Sequence, residues 1–127
     1  MNLPDDLRYT EEHEWARYDE ASGVATIGVT DFAQSELGDI VFLELPAVGD
    51  EVQAGDAIGT IEAVKTVADL YAPVSGEIMA VNEQLNDAPE LINEAPYDAG
   101  WMVRIKLSDP EELDSLLSVE KYQSLVE

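Results

Sequence analysis

The sequence predicts a mainly β protein with a few short helices. Three observations carry that expectation: the apolar runs are short and separated by Gly, Pro and Asp, several of them alternate with period two, and helical spacing is confined to two segments. With 127 residues, 46% of them hydrophobic, the chain is long enough to bury a core unaided, and it reads as a single domain over residues 1–127.

The elements follow in chain order. Trp15-Ala16-Arg17-Tyr18 is strand-like, and Asp19-Glu20-Ala21-Ser22-Gly23 after it reads as a hairpin loop in which Gly23 can take positive φ. In the strand over residues 24–29, Ala25, Ile27 and Val29 fall on one face, because side chains alternate along a strand. Residues 30–38 form a short helix, capped by Thr30 or Asp31 and ended by Gly38. Over residues 40–45 the alternation places Val41, Leu43 and Leu45 together. Strand-like runs over residues 57–61 and 67–71 leave Lys65 on the turn between them. In the last strand Val103, Ile105 and Leu107 face one way, Arg104 and Lys106 the other. Asp109-Pro110-Glu111-Glu112-Leu113 then starts a C-terminal helix, with a capping Asp, Pro in the first turn and acids at the positive dipole end. Leu113, Leu116 and Leu117 continue it at helical spacing. Trp15 and Trp101 are expected to line the core or a groove.

Charge narrows the function classes. There are 28 Asp and Glu against 6 Lys and Arg, a formal net charge of −22. Such a surface repels phosphate backbones, so nucleic acid and anionic membranes are excluded as partners. The acids serve either solubility or steering towards basic docking surfaces. The sequence has no cysteine, so disulfides, thiolate metal sites and a cysteine nucleophile are ruled out, which fits a reducing compartment. The acidic start, Met1-Asn2-Leu3-Pro4-Asp5-Asp6, has neither a basic leader nor an apolar run. No segment approaches the roughly 20 apolar residues of a membrane helix, and the expectation is a soluble cytoplasmic protein.

Few residues can carry chemistry. His13, the only histidine, sits among Glu11, Glu12 and Glu14, but one histidine without H-E-x-x-H spacing is a weak metal motif. No G-x-S-x-G elbow, phosphate loop or dinucleotide fingerprint is present. Lys65 is one of three lysines, and the other two, Lys106 and Lys121, fall in a strand-like run and the tail. A protruding lysine offers a free primary amine for acylation, which removes its charge and extends a flexible stem. Glu62 and Asp69 favour the ammonium over the nucleophilic amine, so activation must come from a separate enzyme. Gly55 lies ten residues before Lys65 and Gly76 eleven after it, each beside an acid and an apolar strand. Two half-units meeting there would place Lys65 at their apex.

Glu62-Ala63-Val64-Lys65-Thr66, Asp69 and Ala72-Pro73-Val74-Ser75-Gly76-Glu77 together resemble the lipoyl-lysine region of the H-protein family of the glycine cleavage system. The resemblance extends through Tyr9, His13-Glu14-Trp15, Ala25-Thr26-Ile27-Gly28-Val29-Thr30-Asp31 and Leu37-Gly38-Asp39-Ile40-Val41-Phe42-Leu43-Glu44-Leu45-Pro46. It resumes at Val81-Asn82, Leu91-Ile92-Asn93, Pro96-Tyr97 and Gly100-Trp101-Met102. The implied fold is a barrel-sandwich hybrid of two small antiparallel sheets around a quasi-twofold axis, with short flanking helices. The implied function is that of a carrier, not an enzyme, with lipoate joined covalently to Lys65. A lipoate ligase or transferase would attach it. A glycine decarboxylase (P protein) would load an aminomethyl group, an aminomethyltransferase (T protein) would unload it, and a dihydrolipoyl dehydrogenase (L protein) would reoxidise the arm. The resemblance also assigns Glu14 and Asp69 to a cleft that holds the loaded, cationic end of the arm.

The sequence departs from that family at three places. Ala63 stands where Ser is common, Thr66-Val67 where smaller residues are common, and Glu36 where some members have His. The nearest competing reading is a lipoyl or biotinyl domain of another multienzyme complex. A biotin carrier has Met on both sides of its lysine, where this chain has Val64 and Thr66. A 2-oxoacid dehydrogenase domain typically has Asp before the lysine and lacks the blocks at His13 to Pro46 and at Trp101. Two other classes are a metal-dependent hydrolase built on His13 and an unmodified acidic interaction module.

Overall fold

The computed structural model describes residues 2–126. Its strands are β1 (Arg8–Tyr9), β2 (Glu14–Asp19), β3 (Val24–Val29), β4 (Ile40–Glu44), β5 (Glu51–Val52), β6 (Ala57–Ala63), β7 (Val67–Tyr71), β8 (Gly76–Val81) and β9 (Val103–Leu107). Four α-helices join them: α1 (Asp31–Leu37), the single turns α2 (Gln84–Asp87) and α3 (Leu91–Glu94), and the C-terminal α4 (Val119–Val126). The strands form two antiparallel sheets, a six-stranded one in the order β1-β2-β3-β9-β8-β5 and a three-stranded one in the order β4-β6-β7. The mainly β expectation therefore holds. No helix among the described residues is long and apolar enough to cross a membrane.

Period-two patterning builds the core between the sheets. Ala25 and Ile27 of β3 and Val103 and Ile105 of β9 are fully buried, and Leu43, Ile61 and Leu70 meet them from the small sheet. Arg104 and Lys106 face outward, as expected. The other face of the large sheet is also covered at one end, by Leu7, Tyr9, Tyr97 and Tyr122 packed around Trp15. This double cover explains why the consecutive residues Trp15 and Ala16 are both buried. Gly28 pairs with Trp15 across β2 and β3, and a Cβ there would lie 2.7 Å from the indole ring. Glycine in mid-strand thus makes room for the tryptophan.

Two expectations need correction. Leu43 is buried and Leu45 half-buried, but Val41 is 50% exposed. A bulge between Ile40 and Phe42 shifts the register, buries Ile40 in place of Val41, and turns both Val41 and Phe42 outward. The helix expected from Asp109 is a 3-10 turn over Pro110–Ser115, with the predicted Asp109 cap. It stops because Leu116 is extended and Leu117 exchanges backbone hydrogen bonds of 2.9 and 2.7 Å with Tyr9. The α-helix begins only at Val119. Leu113 and Leu116 still pack against the main core, so the apolar spacing reported burial correctly and helix type incorrectly.

Candidate functional site

The β6–β7 hairpin places Lys65 at its tip. Ala63 N–H donates to Thr66 O at 2.8 Å to close the turn, and Val64 N–H donates to Asp39 O at 3.0 Å, which anchors it to the start of β4. Lys65 is exposed, and no hydrogen bond or ion pair holds its amine among the described residues. Glu62 faces outward between Phe42 and Val67, and neither it nor Asp69 pairs with the lysine. The carboxylate neighbours inferred from sequence proximity are therefore not contacts. The stem of Lys65 lies over Gly38 instead: a Cβ at Gly38 would be 3.4 Å from Lys65 Cε and 3.8 Å from Nζ. Gly38 ends α1 at φ 78°, a conformation that favours glycine, and so leaves the stem room. Asn93 fixes this corner, accepting from Ile40 N–H at 3.0 Å and donating to Gly38 O at 2.8 Å.

Beside the turn lies a cleft of about 430 Å³. One wall is α1, which contributes Phe32, Ala33, Glu36 and Leu37; Ile61, Ala68 and Asp69 of the small sheet form the other. The turn before β2 adds Glu12 and His13, and the first residue of β2 adds Glu14. Leu37 and Glu36 immediately precede Gly38, so the lysine stem rests at the cleft mouth.

The structure brings Glu14 and Asp69 to this cleft in different states. Glu14 is only 1% exposed. Its Oε1 accepts from the Thr10 hydroxyl at 2.7 Å and its Oε2 from Tyr71 N–H at 3.3 Å, on the free edge of β7. Burial pushes its carboxyl up to about 7, against the opposing pull of those two hydrogen bonds. Asp69 is exposed at the rim, where its carboxylate accepts a long hydrogen bond of 3.4 Å from the Tyr71 hydroxyl. Glu36, at a position where some members of the resembled family have His, adds a further carboxylate to the lining.

His13 serves packing and position. Among the described residues no group of three or more His, Asp or Glu side chains is placed to hold a metal ion. The residue has φ 69°, unusual for a non-glycine, and its ring packs 4.8 Å from Phe32. Burial lowers its pKa below the ordinary 6.5. Its Nδ1 lies 2.8 Å from the Tyr122 hydroxyl, which is also 2.7 Å from Thr30 Oγ1, the cap of α1. One buried hydroxyl from α4 therefore ties together both the His13 and the α1 sides of the cleft. Tyr122→Phe is expected to cost about 1–3 kcal/mol in urea unfolding, since it leaves buried polar partners unsatisfied. Retention of the Tyr9–Tyr122 ring stack, at 4.7 Å, should keep the fold native by circular dichroism.

Thr10, Tyr71, Asn93 and Tyr122 carried no sequence signal as site residues. Thr10 acts through its hydroxyl on the nearby Glu14, Tyr71 through its backbone N–H and hydroxyl, Asn93 through its side-chain amide and Tyr122 through its hydroxyl. Phe32, Leu37 and Ile61, the apolar lining, likewise carried no sequence signal as site residues.

Comparison with known proteins gives a consistent result. The family model described as glycine cleavage H-protein matches residues 7–127. Glycine cleavage system H protein of Anoxybacillus flavithermus is 54% identical over 126 residues, spanning 99% of this chain and 98% of that one. The protein of the same name from Carboxydothermus hydrogenoformans is 54% identical over 125 residues, spanning 98% and 95%. The crystal structure of a glycine cleavage system H protein from Mycobacterium marinum superposes with a TM-score of 0.88 at 39% identity, covering 96% of this chain and 97% of that one. On the match over nearly its whole length, this chain belongs to the glycine cleavage H-protein family.

Proposed function

We propose that Lys65 carries lipoate in amide linkage and that the adjacent cleft shelters the loaded end of the arm. As a member of its family the chain is the lipoyl shuttle of the glycine cleavage system. The observation that carries the residue assignment is a free amine at a hairpin tip, its stem laid over Gly38 at the mouth of a cleft with an apolar wall and a buried carboxyl. Lys106 lies within β9, between β3 and β8, and Lys121 within α4, so neither stands at the tip of a turn.

The residues present fit a lipoyl group. When bound, lipoate supplies the disulfide and dithiol chemistry and carries the aminomethyl unit of glycine from the P protein to the T protein, before the L protein reoxidises it. On attachment the Lys65 amine adds to an activated lipoyl carbonyl, an amide forms, the activating group leaves, and the amine proton passes to solvent. Each single bond of the stem adds about 1.5 Å of contour, so a short acyl chain suffices to enter the cleft from its mouth. There Phe32, Leu37 and Ile61 exclude water from the stem, while Glu14 and Asp69 oppose a cationic tip with charge. The chain itself supplies attachment and shelter, and its partners supply catalysis.

Intact mass after co-expression with a lipoate ligase tests the assignment. One lipoyl adduct is expected, mapped by peptide fragmentation to Lys65. An adduct at Lys106 or Lys121, or none, would overturn it.

A further inference from the structure

Seven large apolar side chains are exposed among the described residues, and four of them, Val41, Phe42, Val64 and Val67, surround the hairpin that ends in Lys65. Their exposures run from 50% to 75%. Phe42 and Val67 both pair with Glu62, from opposite sides, so the three share the outer face of the small sheet. Neighbouring strands are about 4.8 Å apart, which makes this a row roughly 10 Å wide. The bulge at Ile40/Phe42 adds Val41 to it, and the Val64 to Asp39 hydrogen bond brings the turn down beside Val41. Leu43, Ile61 and Ala68 occupy the alternate, inner positions, Leu43 and Ile61 in the core and Ala68 in the cleft wall. Packing within the chain leaves the outer row without a role, and exposed apolar clusters of this kind mark contact surfaces.

We infer that this apolar shelf is the docking surface for the enzyme that attaches lipoate to Lys65. The inference rests on the attachment reading above. Partners that act on the finished arm meet a reacting group many bonds beyond Lys65 Nζ. The attaching enzyme alone must bring a carbonyl to Lys65 Nζ itself. A standard interface hides about 800 Å² on each partner, so its footprint extends over one or two strands around the contact point. The shelf lies within two strands of Lys65 and therefore inside that footprint. Exposed carboxylates at Asp39, Glu44, Glu62 and Asp69 border the apolar residues. The complementary surface is an apolar groove edged by Arg or Lys. A second copy of this chain does not meet that description, because it would bring a formal charge of −22 against its like.

The test compares the wild-type chain with Phe42→Ser/Val67→Ser, using lipoate, ATP and a lipoate ligase, with adduct formation followed by intact mass. Both positions are exposed, so the double variant should keep its melting temperature within a few degrees. Its kcat/KM for lipoylation is expected to fall at least tenfold through KM, with kcat nearly unchanged. Met79→Ser, an equally polar change at an exposed site on the large sheet, should retain wild-type rates. A double variant modified within twofold of the wild-type rate would overturn the docking surface while leaving Lys65 as the attachment point. So would a defect seen only in later aminomethyl transfer. A wild-type chain that takes no adduct would overturn the attachment reading itself.

Discussion

Lys65→Arg should reduce lipoylation and glycine-dependent carbon dioxide exchange to background while leaving the fold intact. The two halves of that expectation have separate physical origins. Guanidinium keeps its charge at every accessible pH and does not form the amide, so substitution removes the chemistry completely. The stability half follows from the surroundings of the side chain: Lys65 is exposed, and its amine has no hydrogen bond or ion pair among the described residues. Exposed substitutions away from special features stay within about 0.5 kcal/mol. Arginine preserves the positive charge and a long apolar stem over Gly38, so the local field changes little. Circular dichroism and melting temperature should match the wild type. An unmodified acidic interaction module predicts the opposite result, with partner binding and exchange undiminished. Residual exchange above one per cent would mean that another lysine carries the arm.

The parts of this molecule that were legible in its sequence are those set by local periodicity and caps. Ala25, Ile27 and Val29, and likewise Val103, Ile105 and Leu107, announced their buried faces because nothing interrupts the period of two. Thr30 and Gly38 bounded α1 because capping chemistry is local: the Thr30 hydroxyl accepts from Ala33 N–H at 3.2 Å, and Gly38 takes the positive φ. The bulge in β4 was not legible, since period two presumes an even ladder and the shift arises from pairing with β6. The C-terminal helix was misplaced for a similar reason. Leu117 pairs with Tyr9, more than a hundred residues earlier, and that pairing overrides the helical spacing of the leucines.

The site divides along the same line. The turn that holds Lys65 was locatable because a turn between two strand-like runs is a local feature, while its reading as an attachment point came from the family resemblance. Glu14 and Asp69 could be assigned to one cleft only through the family resemblance, because 55 residues separate them and many other acids compete. Their different states could not be foreseen at all. Packing buries the Glu14 carboxyl and leaves that of Asp69 exposed at the rim, and burial is a property of the packed whole.

That difference sets the second large effect, the response of stability to pH. The folded chain raises the Glu14 carboxyl from the ordinary 4.5 to about 7. A raised acid contributes stability that is fully present below its unfolded pKa and is lost as pH climbs through the folded one. At roughly 1.4 kcal/mol per unit, its ionisation costs the fold about 3 kcal/mol between pH 4.5 and 7. His13 works with the opposite sign: burial lowers its pKa, so its share of stability is lost as pH falls below the ordinary 6.5. Below the ordinary histidine value of 6.5 the two groups therefore pull stability in opposite directions with pH. Glu14→Gln separates them. The amide keeps the shape of the side chain and its oxygen can accept from Tyr71 N–H, while its nitrogen faces Thr10 Oγ1 as a donor and so reverses the hydrogen bond that the Thr10 hydroxyl gives Glu14. Relative to the wild type, the variant should gain about 3 kcal/mol as pH rises from 5 to 8 in urea unfolding at fixed salt. Parallel curves for the two proteins would show that Glu14 titrates as an exposed acid. The same proton bears on cargo. A cationic tip in the cleft stabilises the ionised carboxyl, so its entry expels the proton that Glu14 holds at lower pH. Retention of the loaded arm should therefore tighten as pH passes through about 7 in the wild type and stay flat in Glu14→Gln.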